Sequence, residues 1–348
     1  MNVPRPHSLK LFATLVLLML FLIELVCFGL YKLNPGAMLD WRYYPSAFNH
    51  TSKPERPFGW SSPDGLPRPG FAVSHPLCAR AFGDSFTYGE EVYNPNDVWT
   101  NVASRELGCL IENYGVGGFG TDQALVLYES TKTNTPIVIL GIYSEMLRRN
   151  MAASWLFYAG QKDRALKPNF VLNKQGEFKQ TPWPTDASTQ ALRDYHQHDI
   201  FFKSYDVRFP YFWYLSKIIF YQLKTRLENK GIFFDKQADA LPLQLALLNG
   251  FNKEVAARGS EMVLVYLPSI AEVTNNDLSY HLQMNTFKSK HPKVCVVDTG
   301  PALIEAIKKD ISVAAQSGHL NENGNAIVAH EVVKGLRACQ GTRALVGG

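Results

Sequence analysis

The chain has 348 residues, a hydrophobic fraction of 46% and a formal net charge of +4. That length holds one large domain or two ordinary ones, and the apolar share is normal for a globular protein. So slight a charge, without any block of five or more lysines and arginines, argues against nucleic acid as a partner.

Residues 1–10 form a short tail. Leu11 to Tyr31 make a near-continuous apolar run with one charge, Glu24. At about 1.5 Å per residue, a helix of that length crosses a hydrocarbon core of roughly 30 Å. No Ala-x-Ala cleavage pattern follows, and Val26-Cys27 makes a poor lipoprotein site. Residues 11–31 therefore read as an uncleaved single-pass anchor in the lipid bilayer, with a cleaved signal as the alternative. Arg5 and Lys10 ahead of the run nearly balance Lys32 and Arg42 behind it. A short tail ahead of a long domain usually stays inside, which puts residues 32–348 outside the cytoplasm.

Residues 32–75 are rich in Pro, Gly, Ser and aromatics and show no helical period; they read as an extended stalk that packs on the domain in places. From residue 76, strand and helix alternate. The expected strands are 77–82, 109–114, 136–141, 262–267 and 293–298, mostly short, β-branched or Leu-rich, and ending in Gly, Pro or Asp. Such runs suit strands buried on both faces of a parallel sheet. Helices are expected at 97–107, 121–132, 241–258, 301–310 and about 322–337, with Gly259 as a C-cap. The alternation predicts a doubly wound, three-layer α/β/α sandwich over residues 76–340.

Between about 150 and 240 the alternation stops and aromatics crowd in, among them Trp155, Phe157, Tyr158, Phe201, Phe202, Tyr205, Phe212 and Trp213. This segment reads as an insertion. Within it, residues 211–229 carry Leu215, Ile218, Ile219, Phe220, Leu223 and Leu227 at helical spacing. The plain reading is an amphipathic helix packed on the domain; the functional one is a lid or a membrane-facing surface.

Five cysteines are present, and Cys27 falls in the anchor. The other four are an even number in an oxidising compartment, but Cys78 and Cys295 sit in apolar strand-like runs, which favours plain buried thiols. No Cys-x-x-Cys or His-x-x-x-His spacing calls for a metal, and no cofactor is implied.

Chemistry concentrates at the strand ends. Gly83-Asp84-Ser85-Phe86-Thr87-Tyr88-Gly89-Glu90 follows the first strand. Gly83 lets the chain turn without a Cβ, Asp84 can bond its own downstream amides, and Ser85 is left on a tight corner where a nucleophile can be exposed. The second strand runs into Asn113-Tyr114-Gly115-Val116-Gly117-Gly118-Phe119-Gly120, a turn with unobstructed amides ahead of a helix. A phosphate loop is its rival, but the spacing and the acidic partner are missing. The third strand ends in Gly141-Ile142-Tyr143-Ser144-Glu145, and the chain closes with Gly318-His319-Leu320-Asn321. Histidine is the side chain that can take a serine proton near neutral pH.

At these residues the chain resembles the SGNH (GDSL-type) hydrolase superfamily. Gly83-Asp84-Ser85 is similar to its first block, Asn113 to Gly118 to its second and Gly318-His319-Leu320-Asn321 to its last. The resemblance spans residues 76–338 and implies a flavodoxin-like α/β/α sandwich. It implies Ser85 as nucleophile, His319 as base and the amides of Ser85 and Gly118 as oxyanion donors. The family's third block carries an Asn donor; Tyr143, Ser144 and Glu145 stand there instead, leaving Ser144 as the substitute donor. The family's Asp three residues before the histidine is Gln316 here, so Asp310, Asp298 or Glu145 would orient the imidazole, or Ser and His would act as a dyad.

Members are esterases, lipases, thioesterases and carbohydrate O-acetyl esterases, with related acyltransferases. The expectation is a membrane-anchored serine esterase acting on an O-acyl ester through an acyl-enzyme. Tethering points to a surface carbohydrate or lipid as substrate. O-acyltransfer to a surface glycan, and non-catalytic glycan binding on the same fold, are the alternatives.

Overall fold

The computed structural model describes residues 6–33, 57–62, 64–68, 70, 75–132, 134–155, 158, 166–184, 188–202, 209–228, 237–275 and 281–346. Much of the expected stalk, residues 34–56, lies outside the described residues, as do Phe157 and Tyr205.

In chain order the elements are helix α1 (Pro6–Leu33), strand β1 (Leu77–Gly83), α2 (Ser85–Tyr88), α3 (Trp99–Leu107), β2 (Leu110–Gly115), α4 (Thr121–Ser130), β3 (Ile137–Ile142) and α5 (Met146–Asn150). The insertion contributes β4 (Phe170–Leu172), β5 (Phe178–Gln180), α6 (Thr189–Tyr195) and α7 (Tyr211–Glu228). The alternation then resumes with α8 (Gln237–Ala257), β6 (Glu261–Tyr266), α9 (Ile270–Thr274), α10 (His281–Lys290), β7 (Cys295–Asp298), α11 (Gly300–Lys308), α12 (Glu322–Ala338) and α13 (Gln340–Arg343). All five expected strands and the helices between them form, most within two residues of the expected bounds.

The central sheet has five strands in the order β2-β1-β3-β6-β7, and every pairing is parallel. Its three inner strands are buried almost end to end: Ala79, Ala81, Phe82, Val138, Ile139, Leu140, Val263, Leu264 and Val265 are all fully covered. Helices flank it in two sets; α3 packs on α12 and α12 on α11, while α8 packs on α4, α5 and α10. The fold is thus the three-layer α/β sandwich. The chain winds from β1 to β2 on one side and then returns to place β3 on the other. In doubly wound sheets ligands bind at the carboxyl ends of the strands beside such a reversal, here β1 and β3.

Parts of the stalk belong to the packed body. Phe58 is buried against Phe119, Trp60 meets Phe119 edge-on and Trp155 at a tilt, and the Trp60 indole donates to the Gly117 carbonyl at 2.9 Å. The insertion builds a second apolar cluster from residues including Leu147, Leu192, Tyr195 and Phe201. It is fastened to the start of α4 by a buried ion pair between Lys167 and Asp122, and the same ammonium caps the carbonyls of Arg149 and Ala152 at 3.1 Å.

Two expectations are corrected. The four cysteines beyond the anchor are not free thiols: Cys78 pairs with Cys109 and Cys295 with Cys339, at Cα separations of 5.7 and 5.8 Å. Cys78 lies on β1 and Cys109 just ahead of the neighbouring β2, where Leu77 is in register with Leu110, so adjacency in the sheet brings the sulfurs together. Cys339 follows α12, which packs on β7 and Cys295. The second correction concerns α7. Leu215 is buried, but Ile219, Phe220 and Leu223 are exposed, so the helix does not bury its apolar stripe on the domain.

The span Leu9–Leu33 within α1 is long and apolar enough to cross a membrane, and its most apolar 18 residues are unburied.

Candidate active site

The corner after β1 is set by close packing. Gly83 has φ +155°, and a Cβ there would fall 2.1 Å from Thr87 Oγ1 and 2.8 Å from the Gly141 carbonyl. A Cβ on Gly115 would meet the Tyr88 nitrogen at 2.2 Å, so the glycine turn nests directly against the serine loop. Only glycine lets the backbones approach this far. Asp84 caps α2, its Oδ1 accepting the Phe86 amide at 3.1 Å, and Gly89 closes the turn in the left-handed conformation.

Ser85 stands at this corner. Its Oγ is 3.0 Å from Nε2 of His319. The histidine arrives on a loop pinned by the Ala315 amide on the His319 carbonyl at 2.9 Å and by Asn321, which caps α12. Across the ring, Nδ1 lies 3.2 Å from Oε2 of Glu91 and 2.9 Å from the Ser317 hydroxyl. With Nδ1–H donated to that carboxylate, Nε2 is left to accept the serine hydroxyl; this tautomer satisfies both contacts. Ser317 reinforces the carboxylate: its hydroxyl is 2.7 Å from Oε2 and its amide donates to Oε1 at 3.0 Å. Partial burial would raise the Glu91 carboxyl, but the bonds from Ser317 and His319 outweigh it and hold Glu91 below the usual carboxylate range. Glu91 also adopts φ +68°, a conformation costing a non-glycine residue about 1 kcal/mol, and the Ser317 and His319 contacts retain it there.

Behind this row lies a buried guanidinium. Arg149 Nη1 bonds Asp84 Oδ2 and the Phe119 carbonyl, each at 3.0 Å, and Nη2 donates to the Tyr143 hydroxyl at 2.5 Å. One side chain therefore clamps the residue before Ser85 to the residue after Gly118 and to the end of β3. Burial pushes the Asp84 carboxyl up against the pull of Arg149, and acidic neighbours hold the guanidinium charged despite its burial. Tyr143 donates in turn to Glu145 at 2.6 Å, and burial keeps its phenol protonated.

The structure thus brings Ser85 and His319 together and sets the Gly118 turn against the same corner. Ser144 precedes α5, its carbonyl accepting from the Leu147 amide, and its hydroxyl makes no hydrogen bond with Ser85, Gly118 or His319. None of the three carboxylates weighed for His319 reaches it. Asp298 bonds His281 at 2.8 Å, Glu145 serves Tyr143 and Tyr158, and Asp310 ends the turn after α11. The carboxylate that does reach His319, Glu91, was missed, as was Arg149. Glu91 stands six residues after Ser85, and a search for carboxylates just past the serine's own turn would have found it. Among the described residues, no group of three or more His, Cys, Asp or Glu side chains could hold a metal ion.

No family model matches the chain, and no curated protein does. Solved structures of similar shape include a member of the lipolytic G-D-S-L family from Veillonella parvula, at 13% identity and a TM-score of 0.38, covering 74% of this chain and 97% of that one. Another is a putative lipolytic G-D-S-L protein from Desulfitobacterium hafniense, at 12% identity and a TM-score of 0.37, covering 75% and 99%. A third is an acetylxylan esterase from Geobacillus stearothermophilus, at 13% identity and a TM-score of 0.41, covering 76% and 96%. At such scores the likeness carries no functional weight of its own. In its fold and in the order of its blocks, the chain is similar to the SGNH, GDSL-type hydrolases.

Proposed function

We propose that this protein is a membrane-anchored serine esterase acting on an O-acyl ester. The observation that carries the reading is the row Ser85, His319 and Glu91, with contacts of 3.0 and 3.2 Å at opposite nitrogens of one imidazole. A hydroxyl, a base of near-neutral character and an orienting carboxylate are what acyl transfer through serine requires.

In this reading Ser85 Oγ attacks the ester carbonyl carbon as its proton passes to Nε2 of His319. Glu91 keeps Nδ1–H fixed and stabilises the imidazolium. The carbonyl oxygen becomes an oxyanion facing the amides of Ser85 and Gly118. Collapse breaks the bond to the leaving alkoxide, which takes the proton from Nε2. Water then repeats the sequence on the acyl-enzyme and frees the acid and Ser85. Residues 11–31 hold the protein in the bilayer, which favours an acylated surface carbohydrate or lipid as substrate. The two disulfides support a domain outside the cytoplasm, since such bonds persist in oxidising compartments.

A fluorophosphonate tests the assignment. The wild type should be labelled covalently on Ser85, and Ser85→Ala and His319→Ala should both be silent while keeping the wild-type melting transition. A folded wild type that takes no label would remove the esterase reading.

A further inference from the structure

The exposed apolar stripe of α7 has a neighbour that says what covers it. The start of α7 packs on the last third of α1: the Tyr211 ring lies tilted against Phe28 and Tyr31 at centroid distances of 5.3 and 5.2 Å, and the carboxylate of Glu24 accepts the amides of Tyr211 and Phe212. Glu24 is the charged side chain inside the apolar run. A carboxylate in a span is costly unless it is bonded, and two amides at the positive end of a helix are suitable partners. An apolar groove of about 320 Å³ runs between the two helices, lined by Leu20, Phe21, Phe209 and Trp213 among others.

From that groove outward, Phe212, Trp213, Ile219, Phe220 and Leu223 fall on one face of α7 and stand 47–67% exposed. At 100° per residue they occupy a sector of about 120°. This face continues the exposed surface of α1, where Leu17, Leu20 and Phe21 are at least half exposed. The charged Lys217 lies outside the sector, where its ammonium can reach headgroups.

We propose that the Phe212–Leu223 face of α7 is a second membrane-contact surface, lying in the leaflet at the carboxyl end of the α1 span. The proposal rests on α1 being a bilayer anchor. It goes beyond that, because a single span leaves the domain free to swivel on its stalk, whereas a second contact fixes one side of the domain against the lipid. An interfacial helix with an aromatic and aliphatic face is the form such contacts take. The Glu24 cap would form only where the two helices share that depth.

The test uses the full chain with Cys27→Ser and the native disulfides kept, in phosphatidylcholine–phosphatidylglycerol vesicles. Single cysteines at Trp213→Cys, Phe220→Cys, Leu17→Cys in α1 and Lys334→Cys on the far surface carry a nitrobenzoxadiazole label. Nitroxides on the lipid acyl chains should quench the labels at 213, 220 and 17 by about half or more and leave 334 unchanged. Quenching at 17 but not at 213 or 220, with iodide reaching both, overturns the proposal and leaves the anchor standing. Labels at 213 and 220 shielded from iodide and lipid alike would mean that a second protein surface covers the face, which also overturns it. No lipid quenching at 17 would remove the anchor and the proposal together.

Discussion

Glu91 and His319 are separated by 228 residues of chain and by 3.2 Å of space. Their contact turns a serine–histidine pair into a three-membered row, and the carboxylate comes from the nucleophile's side of the fold.

Glu91→Gln should keep the fold and lower kcat by on the order of a hundredfold or more, with KM little changed. Gln preserves the shape but removes the negative charge that stabilises the imidazolium. Glu91→Asp should recover part of the rate. Initial rates on a p-nitrophenyl ester, beside thermal melts, decide it. A Gln variant with wild-type kcat would leave the contact without a role in the reaction.

Arg149 holds Asp84, Phe119 and Tyr143 at once, so Arg149→Met should strand a buried carboxylate and cost about 3–5 kcal/mol. Adding Asp84→Asn should return much of the loss. Urea unfolding of the two single variants and the double variant measures the coupling; strict additivity would deny the clamp.

The insertion carries two buried groups that answer to pH in opposite directions. Burial lowers His196 to about 4 and raises Asp199 to about 6. A histidine held low in the fold loses stability as pH falls below its unfolded value, and an acid held high gains it. Between pH 7 and 5 the histidine alone should cost about 2 kcal/mol and the aspartate return about 1. His196→Phe, which keeps a ring between Tyr195 and Phe202, should therefore make stability rise on acidification rather than fall slightly. Unfolding midpoints at the two pH values check the sign.

Closing loops of 31 and 44 residues, the disulfides should each contribute about 4 kcal/mol in the chain-entropy account. Cys78→Ala with Cys109→Ala, and likewise the second pair, should lower the midpoint without abolishing Ser85 labelling. Mass spectrometry of the non-reduced protein should find both bridges; free thiols at all four positions would refute them.

The central strands β1, β3 and β6 were legible as short apolar runs covered on both faces, and the edge strands β2 and β7 as shorter runs bounded by turn residues. Ser85 was legible because it directly follows β1, at a rim of the sheet, and His319 because it stands in a Gly/Asn loop at the start of α12. Glu91 was not legible by the same route. It sits past the quoted block, in a left-handed turn that glutamate rarely takes, and its meaning depends on a loop at the other end of the chain. The cysteines misled because an apolar run describes a buried thiol and a buried half-cystine equally well. In α7 the helical spacing was right, but spacing cannot say whether protein or lipid covers the stripe. Arg149 carried no motif at all; its role comes from three partners on three different elements.

The position of Glu91 also bears on how chains of this design are recognised. Carboxylate and serine travel together on one short cassette, so the C-terminal loop has to supply only the imidazole. That frees the position three before His319, where Gln316 stands, from any duty to carry charge. In the proposed reading, a survey that scores only the Asp-x-x-His tetrad would overlook the carboxylate of such chains. A survey that reads the residues just after the Gly-Asp-Ser corner would sort them differently.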